Sequence, residues 1–390
     1  MILVAVSWKD YIKKIGDIAA PAVEVKIDGK KWSSDEVIIS SAEVLSSVGC
    51  EASTCSIEFK LMRTFIKKDD IRKKNVIKIH SDFSDIKVGS KLEVSFGHQL
   101  SKKADLKSVF IGYISAFDLS IDNKSITTLV IQGMDAKMWM MTSKKTELKK
   151  NLHKYSMVVK NVCNAYSGKL KGSFINIKDE VEFESDIYQQ NESDYEFLCR
   201  IANYTGCMFF ISQGKLYFVS ISALKSTGLK ISPDRKIYNI KLSASIWGIP
   251  KSVEVVSINK KDYEKLVEAK AINSDVIGKG KTAASLTTNI NDENTVRIID
   301  NTVRSVKEAK FLSQALYNKR ELNLLELNVE IYGYPDAELG TGVTIEDFGD
   351  PIDNNYIITQ IRHCCYPERF VTYLKLHTNR VNPQKNGVGF

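Results

Sequence analysis

The sequence predicts a mainly β protein in which two similar strand-rich regions flank a small α+β domain. Residues 23–145 contain several short strand patterns without a helical stretch long enough for a βαβ crossover, which favours an antiparallel barrel or sandwich. Helical and strand patterns alternate in residues 146–235, and strand patterns return in residues 236–378. The chain has 390 residues, 43% of them hydrophobic, which is enough for two or three domains with their own cores.

Runs that are rich in apolar residues, most of them alternating with polar ones, define the strands of the first region. They lie at residues 23–27, 54–61, 92–96, 109–117 and 126–131. The run at 109–117 is apolar on both faces, although a small barrel buries only one face of each strand. Another element or another chain must therefore cover its second face. This makes Val109, Ile111 and Tyr113 candidates for a surface that contacts another copy of the chain.

The middle region contains a short helix with clear start and stop signals. Ser193 suits the N-cap, and Glu196 follows three residues later, which predicts a capping box. Asp194 adds negative charge at the positive end of the helix dipole. Gly206 suits the C′ position, and a strand, a tight turn and a second strand follow it. The apolar stripe of this helix consists of Phe197, Leu198, Ile201, Ala202 and Thr205.

Two further helices are predicted from the same kind of signals. One runs from Ser156, as its cap, to Tyr166, and ends before Gly168. The other covers residues 305–319, with Ser305 and Glu308 forming a second capping box.

The polar segment 260–300 is predicted to be a loop. Its Gly-Lys-Gly-Lys-Thr sequence at 278–282 resembles part of a phosphate-binding loop, but the first glycine of that pattern would fall at Asp275. In addition, no strand leads cleanly into a helix here. A flexible surface loop is therefore the prediction for this segment.

The two strand-rich regions share an internal repeat. Residues 88–94 resemble residues 339–345, and each segment is followed by Phe-Gly within a few residues. An apolar strand and a last strand then follow at similar distances in both regions. Three copies of such a chain would present six similar units in a ring.

The segment from Glu192 to Gly206 resembles the signature of the VgrG and phage late-control protein D family, the central hubs of contractile tails. The residues that carry this resemblance are Glu192, Ser193, Asp194, Tyr195, Glu196, Phe197, Leu198, Arg200, Ile201 and Gly206. Residues 334–345 resemble a second segment of the family, with Thr341 in place of a proline, and residues 356–363 resemble its Tyr-x-Val-x-x-Val-x-His strand.

The resemblance implies two tube-like antiparallel β-barrels, a small α+β domain and assembly as a homotrimer with pseudo-sixfold symmetry. The domains expected are a first barrel at 1–145, the α+β domain at 146–235, a second barrel at 236–378 that includes helix 305–319 and loop 260–300, and a tail at 379–390. Because the tail is too short for a spike, the implied spike is a separate protein.

The implied function is that of a hub, in a phage, a tailocin or a type VI-like system, that adapts a sixfold tail tube to a threefold spike. The implied partners are further copies of the chain, the tube or tube-initiator protein, the spike and other baseplate proteins. A hub of this kind is made in the cytoplasm and incorporated in a particle that leaves the cell.

Composition adds limits to this interpretation. The net charge of +8 comes from lysine pairs scattered among acids, without interleaved aromatic residues, so no direct nucleic-acid recognition is expected. The seven cysteines are irregularly spaced, which predicts reduced thiols and no metal site. No apolar run is long enough for a membrane span. Residues 1–8 make a poor signal peptide, so a strand or docking tail is expected there.

The sequence contains no catalytic motif. Gly-x-Ser-x-Gly, His-Glu-x-x-His and Cys-x-x-Cys are all absent, and none of the five histidines lies in a motif that would pair it with a nucleophile. We therefore predict no catalytic, cofactor-binding or metal-binding residues and no enzyme activity. The alternative is a wall-degrading or carbohydrate-binding tail protein, for which an acid pair such as Glu182 and Glu184 could serve.

Overall fold

The computed structural model describes most of the chain. The described residues are 7–16, 19–32, 37–62, 86–100, 104–121, 126–183, 186–224, 229–258, 266–286 and 294–382.

Strands dominate the described residues. They are β1 Ala20–Ile27, β2 Lys30–Lys31, β3 Val37–Ser47, β4 Thr54–Met62, β5 Lys91–Gln99, β6 Ala104–Ile121, β7 Ile126–Met134, β8 Lys144–Lys149, β9 Gly172–Asn176, β10 Ile187–Ser193, β11 Cys207–Ser212, β12 Lys215–Ser220, β13 Leu229–Ile231, β14 Ile237–Ala244, β15 Ser252–Ile258, β16 Leu266–Ala271, β17 Thr295–Ile299, β18 Leu325–Tyr332, β19 Gly342–Ile345, β20 Asn354–Cys365 and β21 Phe370–Thr378. The helices are α1 Trp8–Ile15, α2 Lys137–Met140, α3 Tyr155–Asn164, α4 Asp194–Tyr204, α5 Ala283–Leu286 and α6 Val306–Glu321.

One large sheet of 13 strands contains two antiparallel ladders. The N-terminal ladder has the order β3-β4-β7-β6-β5, and the C-terminal ladder has the order β14-β18-β21-β20-β19. A sixth strand extends each ladder, antiparallel in the case of β1 on β5 and parallel in the case of β13 on β19. The mainly β class is therefore confirmed.

The two ladders share two of their irregularities, although a third, in the β5–β6 pairing at Val94 and Ser95, has no counterpart between β19 and β20. A β-bulge lies between Ile39 and Ser41 in β3, and another between Ile237 and Asn239 in β14. A second pair of bulges lies at residues 114–116 in β6 and 358–360 in β20. Because a bulge shifts the register of a ladder at one defined point, these coincidences align the ladders residue by residue.

A direct strand pairing, the joint, connects the ladders. The C-terminal half of β20, residues 360–365, pairs antiparallel with residues 42–47 of β3. Phe370, at the start of β21, belongs to the same buried cluster as Phe59 and Phe96 of the N-terminal ladder. The two ladders thus share part of their hydrophobic core at the joint.

The α+β region packs as a layer against both ladders, since its cores include Tyr113 of the N-terminal ladder and, through Met208 and Phe210, strands of the C-terminal one. Strands β11, β12 and β9 form a three-stranded sheet, and its core includes the buried faces of α3 and α4. The stripe residues Phe197, Leu198 and Ile201 of α4 are all buried there.

Helix α1 packs against the C-terminal ladder; the strand or docking tail predicted at residues 1–8 lies outside the described residues except for Ser7 and Trp8. Trp8, Tyr11 and Ile15 recur at helical spacing and are buried in the core of the C-terminal ladder, not in that of the N-terminal one. The Tyr11 hydroxyl donates to the Gly333 carbonyl oxygen at 2.6 Å. Residues 7–16 therefore pack with strands that lie far along the chain, and the predicted domain boundaries stay a prediction.

The predicted loop at 260–300 is also corrected. Strands β15, β16 and β17 form a separate three-stranded sheet, and α6 packs against it through Tyr317. The glycine-rich segment is held in place, because the Lys279 amide donates to Asn354 Oδ1 at 2.6 Å and Lys281 pairs with Val381 through two backbone bonds. Parts of the predicted loop, residues 260–265 and 287–293, lie outside the described residues.

Two helix caps differ in detail from the prediction. Helix α3 begins after Lys154, and Ser156 instead donates from its hydroxyl to the Glu180 carboxylate at 2.6 Å. Ser305 caps α6 as predicted, and the Glu308 carboxylate also accepts from the Arg304 amide at 2.8 Å.

Candidate assembly surfaces

The signature helix α4 has the complete capping box that the sequence predicts. The Ser193 hydroxyl accepts from the Glu196 amide at 3.2 Å, and the Glu196 carboxylate accepts from the Ser193 amide at 2.7 Å. The amide and the hydroxyl of Ser193 both donate to the Glu196 carboxylate, at 2.7 and 2.9 Å, and these two bonds lower its pKa. The cap fixes the direction in which strand β10 enters the helix.

The polar signature residues bind the helix to its neighbours. Asp194 accepts hydrogen bonds from Lys145, Tyr166 and Gln189. Burial of this carboxylate opposes its ionisation, but these three bonds outweigh that effect, so its pKa is lowered. On the next turn, Arg200 forms a two-pronged ion pair with Glu192, at 2.7 and 2.9 Å.

The remaining signature residues serve packing. Tyr195 is half-buried, with its ring 6.5 Å from that of Phe209. Gly206 has a φ of +64°, and a Cβ added there would lie 2.4 Å from the carbonyl oxygen of Ala315 in α6. Glycine is required here both by the left-handed backbone and by this close approach. The signature therefore builds the α+β layer and presents no reactive cluster.

Replacing Ser193 by alanine should lower the free energy of unfolding by about 1 kcal/mol, because the Glu196 amide loses its acceptor. Urea unfolding followed by circular dichroism measures this loss. Ser156→Ala is a comparison at a serine that does not cap its helix. An unchanged stability of Ser193→Ala would contradict the role of the cap, while oligomer formation is expected to stay the same.

The predicted contact strand β6 is covered in part by the chain itself. Tyr113 is buried, its hydroxyl donates to the Lys169 carbonyl oxygen at 2.9 Å, and its ring packs edge-on against Trp139. Val109 and Ile111 are half-buried, and Ile111 faces Gly214 in the turn between β11 and β12. The second face of this half of β6 therefore meets the α+β layer, and contact of these three residues with another copy stays a prediction.

A buried lysine connects the α+β layer to the N-terminal ladder. The Lys137 side chain is fully buried, and its ammonium group shares its three hydrogens among four carbonyl oxygens: those of Gly49, Cys50, Glu51 and Phe209, at 2.7 to 3.2 Å. Burial lowers the pKa of this group, and Asp135 opposes that effect. No prediction from the sequence included this lysine, although a charged residue within the mostly apolar segment 134–141 was a visible signal.

The joint carries an ion pair on its exposed face. Arg362 of β20 donates to both carboxylate oxygens of Glu43 in β3, at 2.7 and 2.9 Å. A planar guanidinium that meets a carboxylate in this way fixes the relative position of the two strands. The opposite face is apolar and aromatic, where Phe96 lies 5.6 Å from Phe370 between ring centroids.

His363 lies within the buried face of the joint. Its Nδ1 atom is 2.9 Å from the Thr372 hydroxyl, and burial lowers its pKa to about 3. The unfolded chain binds a proton at this residue below about pH 6.5, whereas the folded chain does not. The stability that neutral His363 allows is therefore present above about pH 6.5 and is lost as the pH falls towards 3.

Replacing His363 by glutamine should reduce the acid sensitivity of folding. Between pH 6 and 4 we expect the slope of unfolding free energy against pH to fall by up to about 1.4 kcal/mol per pH unit, the value for one proton. Urea titrations at several pH values measure this slope. The same substitution at His153, which is exposed, is the control, and an unaltered slope in His363→Gln would contradict the assignment.

The described residues were searched for metal-binding clusters and for membrane-spanning helices. In the described part of the chain no group of three or more His, Cys, Asp or Glu residues could hold a metal ion. Within those same residues, none of the helices has the length and apolar character needed to cross a membrane. Of the two acids that could serve the wall-degrading alternative, Glu182 is exposed, and Glu184 lies outside the described residues.

Comparison with known proteins identifies the fold. A 43 kDa tail protein of prophage MuSo2 from Shewanella oneidensis superposes with a TM-score of 0.63 at 14% identity, over 91% of this chain and 98% of that one. A tail protein from Neisseria meningitidis MC58 gives a TM-score of 0.61 at 12% identity, over 92% and 97%. At these identities the likeness is one of fold.

A type VI secretion protein shares the same fold. The E. coli c3393 protein, described as a component of the type VI secretion system with structural similarity to the T4 tail proteins gp27 and gp5, gives a TM-score of 0.56 at 10% identity, over 94% of this chain and 79% of that one. The predicted likeness to tail and baseplate proteins is thus confirmed at the level of the fold. The narrower assignment to the VgrG and late-control protein D family stays a prediction.

Sequence comparison gives a different kind of match. A family model described as the Alg8 N-terminal domain matches residues 63–366. No curated protein sequence matches the chain.

Proposed function

We propose, from its fold, that this chain is the structural hub of a contractile tail or injection baseplate. By its family model the chain belongs to the family of the Alg8 N-terminal domain, a name that says nothing about tails. Its fold is that of phage tail proteins. In this role it forms a homotrimer that connects a sixfold tail tube to a threefold spike. The spike is carried on a separate protein, and no catalytic step is part of the proposal.

The repeated ladder is the observation that supports this function best. Each ladder has the same strand order and the same two bulges, and each has one buried and one more polar face. We interpret the ladders as two tube-like barrels. Three chains then supply six equivalent units, so that a threefold assembly offers a sixfold surface to the tube.

Buried contacts connect the units of the molecule, as expected for a rigid structural protein. The joint, the four-carbonyl contact of Lys137 and the signature helix connect the two ladders and the α+β layer by buried contacts. A hub that bears the force of tail contraction needs such connections between its units. These contacts support a structural role over one that depends on a moving lid.

Mass photometry of the purified protein tests the proposal, alone and with the tube and spike proteins of the same particle. A trimer that binds both partners, seen as a ring in negative-stain images, is the expected result. A protein that stays monomeric with both partners present would contradict the hub function.

An activity assay separates the hub from the wall-degrading alternative. Purified protein is incubated with peptidoglycan and with chito-oligosaccharides, and released fragments are measured by mass spectrometry. No release above that of a heat-inactivated sample is expected. Release that a Glu182→Gln variant abolishes would support the alternative instead.

A further inference from the structure

Two strand edges have no backbone partner among the described residues. One is the C-terminal half of β6, residues 116–121, which extends beyond its pairing with β5 and pairs with β7 on one side. The other is β14, which pairs with β18 on one side alone. Unpaired strand edges of this length invite pairing with another chain.

The joint shows how such edges pair in this protein. In the alignment that the bulges fix, residues 360–365 of β20 correspond to residues 116–121 of β6. Residues 42–47 of β3 correspond to residues 240–245 of β14. The two unpaired edges are therefore the counterparts of the two strands that meet in the joint.

Transferring the register of the joint predicts a complete ladder. Its pairs would be Ala116 with Ser245, Phe117 with Ala244, Asp118 with Ser243, Leu119 with Leu242, Ser120 with Lys241 and Ile121 with Ile240. Like the joint, it is antiparallel.

Apolar side chains at these edges are exposed where their counterparts are buried. Ile361 and His363 in the joint are 4% and 3% exposed. The corresponding Phe117 and Leu119 are 43% and 37% exposed. Their side chains lie on the same face of β6 as the buried core, so a strand added beside them would extend that core.

The charges at the two edges are complementary. Arg362 and Glu43, which form the ion pair of the joint, correspond to Asp118 and Lys241. In the joint the base lies on β20 and the acid on β3, whereas in the proposed ladder the acid lies on β6 and the base on β14. The two charges are opposite in both cases and therefore attract each other. Both side chains are exposed in the single chain.

We propose that residues 116–121 of one chain pair with β14 of a second copy, in the register of the joint. This interface rests on the proposed hub function and names the surface that closes its ring. It joins two different surfaces of the same chain, so each copy donates β6 to one neighbour and β14 to the other. It also moves the predicted contact on β6 from Val109, Ile111 and Tyr113 to the other half of the same strand.

Cysteine cross-linking tests the register directly. In a Leu119→Cys/Leu242→Cys variant, the two positions face each other across the proposed ladder, where Cα atoms about 4.5–5.5 Å apart permit a disulfide. Mild oxidation should link chains to one another, giving dimers and trimers on a non-reducing gel. Leu119→Cys/Ser243→Cys is the matched control, because residue 243 points to the opposite face. Unmodified protein, with its seven cysteines, controls for native thiols.

The outcomes separate this proposal from the hub function. Trimers by mass photometry without specific cross-linking, or with equal cross-linking in the control, overturn the register and leave the hub function standing. A monomer in the presence of tube and spike proteins overturns the hub function itself. Links confined to the two introduced thiols, at positions 119 and 242, support the ladder when mass spectrometry of the peptides identifies them.

Charge reversal gives an independent test. Asp118→Lys and Lys241→Asp should each weaken association by about fivefold per interface, the effect of roughly 1 kcal/mol at an exposed pair. The two changes in one chain should restore association, because attraction returns with the signs exchanged. Glu182→Lys, at an exposed site away from both edges, should have no effect. A double variant that is no better than the single ones would contradict the pairing.

Discussion

Replacement of Lys137 by methionine is expected to lower the free energy of unfolding by about 3–5 kcal/mol. Methionine fills a similar volume but offers no hydrogen to the four carbonyl oxygens that now accept from the ammonium group. The Phe209 acceptor would stay buried, and those of residues 49–51 partly buried. Asp135, also fully buried, would lose the nearby positive charge that favours its ionised form.

Urea unfolding followed by tryptophan fluorescence and circular dichroism measures this loss. Lys169→Met is the matched control: this exposed lysine lies 4.4 Å from the Trp139 ring, and its loss should cost no more than about 1 kcal/mol. A similar cost for the two variants would mean that the four carbonyl bonds contribute little. If Lys137→Met does not fold at 25 °C, refolding at lower temperature with an osmolyte still ranks the two variants.

The sequence predicted the strands whose side chains alternate without interruption. Strands β4, β5 and β18 alternate cleanly, and their periods were found at the correct residues. Strands β3 and β14 were missed, although they form the joint and its proposed counterpart. Each contains a bulge, which places one extra residue in the strand and inverts the period of two from that point on.

Contacts between segments far apart in the chain were also not predicted from the sequence. The capping box of α4 involves residues three apart, so its partners are visible in the sequence. Helix α1 was missed because its apolar face binds a core built more than 200 residues later. The acceptors of Lys137 likewise come from two separate loops and strands, and no local pattern specifies them.

The repeat was visible in the sequence only as three short similarities. Glycine and aromatic residues at turns carried them, because the same turn needs the same backbone freedom in both ladders. The side chains at the joint differ between the halves, as Arg362 and Asp118 illustrate. Equivalent positions with exchanged charges keep a contact while losing sequence similarity, and only the register of the ladders makes them comparable.

Replacement of Arg380 by methionine is expected to destabilise the chain by a similar 3–5 kcal/mol. Arg380 donates to the Glu321 carboxylate at 3.1 Å, and the two side chains are 7% and 0% exposed. Without the guanidinium, a buried carboxylate keeps only the hydroxyls of Tyr317 and Ser274 as donors. The pair ties the end of the C-terminal ladder to α6, so its loss should loosen the β15–β17 sheet first.

The double variant Arg380→Met/Glu321→Leu decides whether the cost comes from the lost attraction or from the uncompensated charge. Removing both charges should recover most of the loss, because two apolar groups of similar volume need no partner. Arg369→Met, which removes an ion pair with Glu330 that is half exposed, should cost less than about 1 kcal/mol. A double variant as unstable as Arg380→Met would show instead that the bonds from Arg380 to Ser274 and Asn379 carry the stability, since those bonds are lost in both variants.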